Sequence, residues 1–175
     1  PIFSLTGKKI TFLGKNRLLK RPQKIYEDIF KEQKLHYYHD ESKMEIEGKL
    51  KAGTYEIDGN ISSQFISGLL FTLPLLEGDS EIKIRPPFES ASYIDLTLEM
   101  LKRFGIEIFQ KDELTFKIRG NQKYSPCDYT IEGDFSQLGF FAVLGAVNND
   151  LKCLGLNHDS KQGDKAVIEI LRSSG

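Results

Sequence analysis

The spacing of apolar and polar residues changes several times along the chain, and each change marks an element. A helical period over 25–34 predicts an amphipathic helix that starts just after Arg21-Pro22 and turns Lys31 and Glu32 to solvent. Two short alternating runs, 35–39 and 43–47, read as strands joined by a polar turn, and Gly48 ends the pair. A further strand at 54–58 runs into Gly59-Asn60. After it, Ser62 opens a helix that is apolar almost all round, in the run Phe65 to Leu76. The segment 80–85 is the next strand.

The same order then returns after about 70 residues, and such self-similarity is found before folds are guessed. Ile94, Leu98, Leu101 and Phe104 share one face of a helix over 93–104, capped by Gly105. Strands at 106–109 and 115–119 follow as a hairpin, with Gly120 in the place of Gly48. A strand at 129–132 leads to Gly133-Asp134-Phe135-Ser136, the counterpart of Gly59-Asn60-Ile61-Ser62. A second apolar helix at 137–147 and a strand at 151–156 come next. Gly163-Asp164 starts a third unit with a helix over 165–172, and Gly175 stands where Gly105 stood. The all-apolar helices are expected to be buried and the charged ones to face solvent, with sheets outside a bundle of inner helices.

Composition narrows the class. Lys and Arg number 24 against 25 Asp and Glu, so no basic stripe suggests nucleic acid. The longest apolar run is too short to span a bilayer and contains Pro74. Cys127 and Cys153 are far apart and not beside a histidine, so they read as reduced thiols and not as a zinc site. Gly-rich phosphate loops are absent. No signal peptide is visible, and a cytoplasmic enzyme or binding domain is the expectation. The chain starts at Pro1 without an initiator Met and stops at Gly175 directly after a helical pattern, so a piece of a longer protein is expected.

Three segments carry candidate chemistry. Ser62, Ser63 and Gln64 stand on the first turn of the first apolar helix, where free N–H groups and hydroxyls suit a phosphate or carboxylate. Helix capping explains one serine. A second serine and an amide exceed it, and Ser136-Gln137-Leu138 lacks the second serine. Arg21 is either one solvated charge in the run Lys15, Arg17, Lys20, Arg21, Lys24 or, fixed by Pro22 at the first helical position, a guanidinium that forks onto an anion. Ser90 and Tyr93 open the next outer helix, as cap and amphipathic edge residue or as parts of the same site.

Together these segments resemble the EPSP synthase family (3-phosphoshikimate 1-carboxyvinyltransferases). Leu18-Leu19-Lys20-Arg21-Pro22 is similar to the family's Arg-Pro helix start. Asp58 to Phe65 resembles its Gly-x-x-Ser-Ser-Gln-Phe segment. Glu89 to Thr97 resembles its Ser-Lys-Pro-Tyr-Ile-Asp segment, with Ala91-Ser92 in place of Lys-Pro. Glu132 to Ser136 resembles its Gly-Asp-x-Ser segment.

The resemblance implies an α/β (α+β) fold: an inside-out α/β repeat domain of the enolpyruvyl transferase type, built from β-α-β-α-β-β repeats with sheets around buried helices. Residues 1–133 are expected to form a truncated substrate-binding domain. Residues 134–175 would begin the second domain of the same fold, or repack as a third repeat. The implied activity is transfer of the enolpyruvyl group of phosphoenolpyruvate to the 5-hydroxyl of 3-phosphoshikimate, in the shikimate pathway to chorismate and the aromatic amino acids, with no metal or organic cofactor. Ser62, Ser63, Gln64, Ser90 and Tyr93 would hold 3-phosphoshikimate. Arg21 and Gln64 would reach phosphoenolpyruvate, whose subsite glyphosate occupies. No catalytic residue is assigned within the chain, because the family's Lys-Ser…Arg motif and its proton-transfer residues do not occur in it. The piece alone is therefore expected to be inactive, its partners being the two substrates and the remainder of the enzyme, with no nucleic acid and no membrane. A monomer is expected at full length. Alternative readings are the sister transferase acting on UDP-N-acetylglucosamine and a non-catalytic anion-binding repeat domain.

Overall fold

The computed structural model of the chain describes residues 1–15, 17–89, 91–148 and 150–174. After a 3-10 turn at Ile2–Thr6 come strand β1 (Ile10–Leu13), helix α1 (Lys24–Glu32) and strands β2 (His36–His39), β3 (Lys43–Glu47) and β4 (Thr54–Asp58). Helix α2 (Ser63–Thr72), β5 (Ser80–Arg85), α3 (Ala91–Arg103), β6 (Ile108–Asp112) and β7 (Thr115–Ile118) follow. The chain closes with α4 (Phe135–Asn148) and α5 (Ala166–Ser173).

Two sheets flank the inner helix α2. One is antiparallel in the order β1-β3-β2, and the other is mixed in the order β4-β5-β7-β6. Alternation does the sorting. Tyr55 and Ile57 of β4, Ile82 and Ile84 of β5, and Phe116 and Ile118 of β7 turn inward, and their neighbours turn out. Against them lie Ile66, Leu69, Leu70 and Leu73, none of which retains solvent exposure. Each such side chain contributes about 1.5–3 kcal/mol on burial. The apolar run continues to Leu76 as foreseen, but the α-helix stops at Thr72 and a 3-10 turn takes over at Leu73–Leu75, because Pro74 cannot continue the helical hydrogen bonds.

The outer helices behave as the pattern predicts. In α3, Ile94 and Leu101 are buried while Glu99, Lys102 and Arg103 face solvent. Gly105 follows with φ of 79°, its N–H donating to the Lys102 carbonyl at 3.1 Å. One detail at α1 differs from expectation. Pro22 is not the first helical residue: Gln23 is the cap residue and Lys24 begins the helix, with Glu27 N–H donating to the Gln23 carbonyl at 3.1 Å. The guanidinium of Arg21 therefore belongs to the lead-in rather than the first turn.

The second repeat is only half realised. Residues 129–132 and 151–156, expected as strands, are not in strands. Helix α4, expected to be buried like α2, leaves Phe140 73 % and Val147 71 % exposed. The two departures have one cause: an inner helix is covered only if its flanking strands pair, and here they have no sheet to join. Only the start of α4 is enclosed, where Phe135 and Leu138 are buried and the helix meets α5. The helix stop expected at Gly175 lies outside the described residues.

Candidate functional site at the shared edge of β4 and β5

Strands β4 and β5 run parallel, with Asp58 opposite Arg85, so the chain leaves both strands at the same edge of the sheet. The turn that opens α2 and the loop that opens α3 are thereby neighbours. Gly59 joins them: its N–H donates to the Arg85 carbonyl at 2.8 Å, and its carbonyl accepts from Glu89 N–H at 3.3 Å. A Cβ at this position would stand 2.6 Å from the Pro87 carbonyl oxygen and 2.9 Å from that of Arg85. The close approach of the two backbones therefore needs glycine. Further along, Ser67 of α2 and Thr97 of α3 share a hydrogen bond of 2.8 Å, and Thr97 donates back to the Tyr93 carbonyl at 2.8 Å.

Ser62 is the cap residue of α2, but its Oγ lies 3.4 Å from Gln64 N–H, long for such a bond. Ser62 and Gln64 are exposed and Ser63 is half-buried. Among the described residues, the side chains of Ser63 and Gln64 have no hydrogen-bond partner. The equivalent end of α4 is occupied. Asp134 accepts from Ser136 N–H at 2.8 Å and from its hydroxyl at 2.6 Å, and Gln162 Oε1 accepts from Phe135 N–H at 2.9 Å. The donors of α4 are thus taken by a carboxylate and an amide, whereas at α2 Ser62 meets them itself, with its Oγ 3.4 Å from Gln64 N and its carbonyl 3.1 Å from Phe65 N.

Arg21 is exposed in the lead-in to α1, the helix that meets α2. Lys20 pairs with Glu41 at 3.5 Å and Lys24 with Asp28 at 2.5 Å, whereas Arg21, like Lys15 and Arg17, has no ion pair among the described residues. The loop before it is held where His39 Nε2 meets the Leu19 carbonyl at 2.7 Å, with the Leu19 side chain buried. The helix after it reaches α2 through Tyr26, whose hydroxyl donates to the Phe65 carbonyl at 3.2 Å. Ser90 lies outside the described residues. Tyr93 is on the open surface, and its hydroxyl donates to Asp164 Oδ2 at 2.6 Å, which raises the tyrosine's pKa.

Sequence reasoning missed Tyr26, Asp164 and Gln162. Asp164 and Gln162 act over 71 and about 30 residues of separation and leave no local pattern. Tyr26 did leave a signal: Gly68 interrupts an otherwise apolar helix, and an isolated helical glycine usually has a packing reason.

Glu132 sits in the knot that connects the two parts of the chain. It accepts from Gln162 Nε2 at 2.8 Å and from Ser160 Oγ at 2.7 Å. These bonds, the Gln162 one foremost, hold its carboxyl below the usual carboxylate value of 4.5. A depressed folded-state value means the stabilisation is complete above the unfolded value and is lost as the pH falls through the folded one. The protection factors of the amides at Phe135 and in α4, taken against the intrinsic exchange rate at each pH, should therefore fall below about pH 4, and a Glu132→Gln variant should not show that acid-side change. Protection that does not change with pH in the unaltered protein would contradict the role given to Glu132.

The family model described as EPSP synthase (3-phosphoshikimate 1-carboxyvinyltransferase) matches residues 1–175. Among curated relatives, the 3-phosphoshikimate 1-carboxyvinyltransferase of Clostridium kluyveri is 46% identical over 177 aligned positions, and that of Clostridium perfringens strain SM101 is 49% identical. That of Brachyspira hyodysenteriae is 44% identical over 175. Each alignment takes in 100% of this chain but 42% of the relative, so the chain spans less than half the length of these proteins. An EPSP synthase structure from Acinetobacter baumannii superposes with a TM-score of 0.71 over 97% of this chain and 38% of that one, at 21% identity, which speaks to the fold alone. The α/β architecture expected from the sequence is thus borne out, and the chain belongs to the EPSP synthase family.

Proposed function

We propose that this chain forms part of an enzyme that transfers the enolpyruvyl group of phosphoenolpyruvate to the 5-hydroxyl of 3-phosphoshikimate, releasing phosphate. The observation that carries the reading is the joint edge of β4 and β5, where Gly59 brings the first turn of α2 against the loop that leads to Tyr93. Family membership and the names of the relatives support the choice of substrates.

In this reading Ser62, Ser63 and Gln64 hold 3-phosphoshikimate, with its anionic group on the α2 N-terminus. Ser90 and Tyr93 complete that pocket. The Tyr93 hydroxyl donates to Asp164 and keeps its lone pairs to accept from a ligand hydroxyl. Arg21 and Gln64 receive phosphoenolpyruvate. Both substrates are anions, so a guanidinium without an ion pair among the described residues and a helix N-terminus with two serines and an amide suit them. The 5-oxygen, giving up its proton, attacks C2 of phosphoenolpyruvate while C3 gains a proton, and the resulting tetrahedral adduct then loses phosphate from C2 and a proton from the C3 methyl group, which restores the double bond. The groups that move those protons are assigned to sequence beyond this chain, so the chain by itself is inactive. Residues 1–133 act as the substrate-binding domain and 134–175 as the start of a second domain, in a monomeric, cytoplasmic enzyme. No helix among the described residues is long and apolar enough to cross a membrane.

The test is Ser62→Ala combined with Ser63→Ala in the full-length protein. Titration calorimetry should show 3-phosphoshikimate binding weakened by about 1–3 kcal/mol, the range for hydrogen bonds to charged groups. An unchanged dissociation constant would mean that the serines only finish the helix.

A further inference from the structure

We infer that Tyr26 is a positioning residue that sets the spacing between the Arg21 lead-in and the Ser62-Ser63-Gln64 turn, through its hydrogen bond to the Phe65 carbonyl and its seat over Gly68 (an inference that rests on the substrate roles proposed above). Tyr26 lies five residues after Arg21 on α1, and Phe65 directly follows Gln64 on α2. The hydroxyl donates to the Phe65 carbonyl at 3.2 Å, and that oxygen keeps a second lone pair for the helix's own ladder. The two rings meet edge to face, with centroids 4.9 Å apart at 66°. The contact thus falls at the ligand end of both helices.

Gly68 shows that the contact is built in. A Cβ there would collide with the Tyr26 hydroxyl, while the ring carbon that bears the hydroxyl is 3.5 Å away, an ordinary contact. A glycine within a helix costs about 1 kcal/mol relative to alanine. Here it leaves the space the phenol oxygen occupies. Burial also pushes the phenol's pKa upward, so the hydroxyl stays protonated and able to donate. On the other side, the lead-in is held by His39 at the Leu19 carbonyl. Arg21 therefore lies between two fixed points, Leu19 and Tyr26, and the second of them touches the helix that carries the serines.

Tyr26→Phe in the full-length enzyme removes the hydroxyl and keeps the ring. The dissociation constant for 3-phosphoshikimate and the KM for phosphoenolpyruvate should each rise about 3- to 10-fold, as expected for one neutral hydrogen bond. The melting temperature should fall only slightly, and kcat should change less than KM. Adding Gly68→Ala to that variant fills the vacated space and replaces a helical glycine, so the melting temperature should recover while the affinities do not. Unchanged affinities in Tyr26→Phe would overturn the inference. So would affinities that return together with the melting temperature in the double variant, because the role would then be packing alone. The paired Ser62→Ala, Ser63→Ala variant separates the two levels. If it weakens binding and Tyr26→Phe does not, only the positioning role fails. If it has no effect, the substrate reading fails and this inference falls with it.

Discussion

Leu70→Ala is expected to lower the unfolding free energy of this chain by about 2–5 kcal/mol, the range for deleting a large buried aliphatic side chain. Leu70 lies in the last turn of α2, has no solvent exposure, and belongs to the core that gathers residues from β3, β4, β5 and β7. The loss combines the transfer term with the cavity left behind. Two sheets hold the walls of that cavity apart, so collapse is restricted and the upper half of the range is favoured. Typical domains have only about 5–15 kcal/mol in reserve, so this one change removes a large part of it. Urea denaturation followed by circular dichroism reads the effect as a lower midpoint at constant slope. Phe140→Ala in α4 is the internal control. That ring is 73 % exposed, and its removal should stay within about 0.5 kcal/mol. Equal losses at the two positions would show that the core is not centred on α2.

The second large effect is Gly59→Ala. Its methyl group would meet two backbone carbonyls, those of Pro87 and Arg85, at 2.6 and 2.9 Å, and Ile84 Cγ2 at 2.8 Å. A side chain can rotate away from such a clash, but the Arg85 carbonyl, at the end of β5 and bonded to the Gly59 N–H itself, has little room to do so. The cost is put at about 3 kcal/mol, the top of the ordinary range for overpacking. The consequence for binding is separate from the loss of stability. Relief of the clash must move the α2 turn away from the α3 lead, which parts Ser62, Ser63 and Gln64 from Tyr93. In the full-length protein, 3-phosphoshikimate binding measured well below the melting temperature should therefore weaken although every proposed contact residue is intact. Normal affinity in a destabilised Gly59→Ala protein would show that the two segments do not act as one site.

Most of the first unit was legible because its signals are local. Strands Lys43–Glu47, Thr54–Asp58 and Ser80–Arg85 fall where the alternation put them, and Gly105 ends its helix as expected. The site segments were legible for the same reason: two serines and an amide at a helix start are a short-range pattern. The second unit was misread by analogy. Its apolar helix has the composition of an inner helix, but composition records what a residue could bury and not whether a sheet is present to bury it. Residues 129–132 and 151–156 have strand-like sequences without paired neighbours, and so α4 stays uncovered. The register of Pro22 failed differently. Proline suits the first helical position, but Gln23, with φ of −121°, lies between it and the helix. The long-range bond from Tyr93 to Asp164 depends on which segments lie side by side, and no window of sequence carries that, whereas the contact of Tyr26 left only the indirect trace of Gly68.

The fit between Tyr26 and Gly68 also restricts the order in which these two positions can change. A lineage that first loses the phenol oxygen passes through a protein with a small empty space, which an alanine at 68 can then fill. The reverse order passes through a protein in which a methyl group and a hydroxyl claim one volume. Both routes end at the same pair of residues, but the second passes through an intermediate in which the Tyr26 hydroxyl must leave its place, so it is the costlier order.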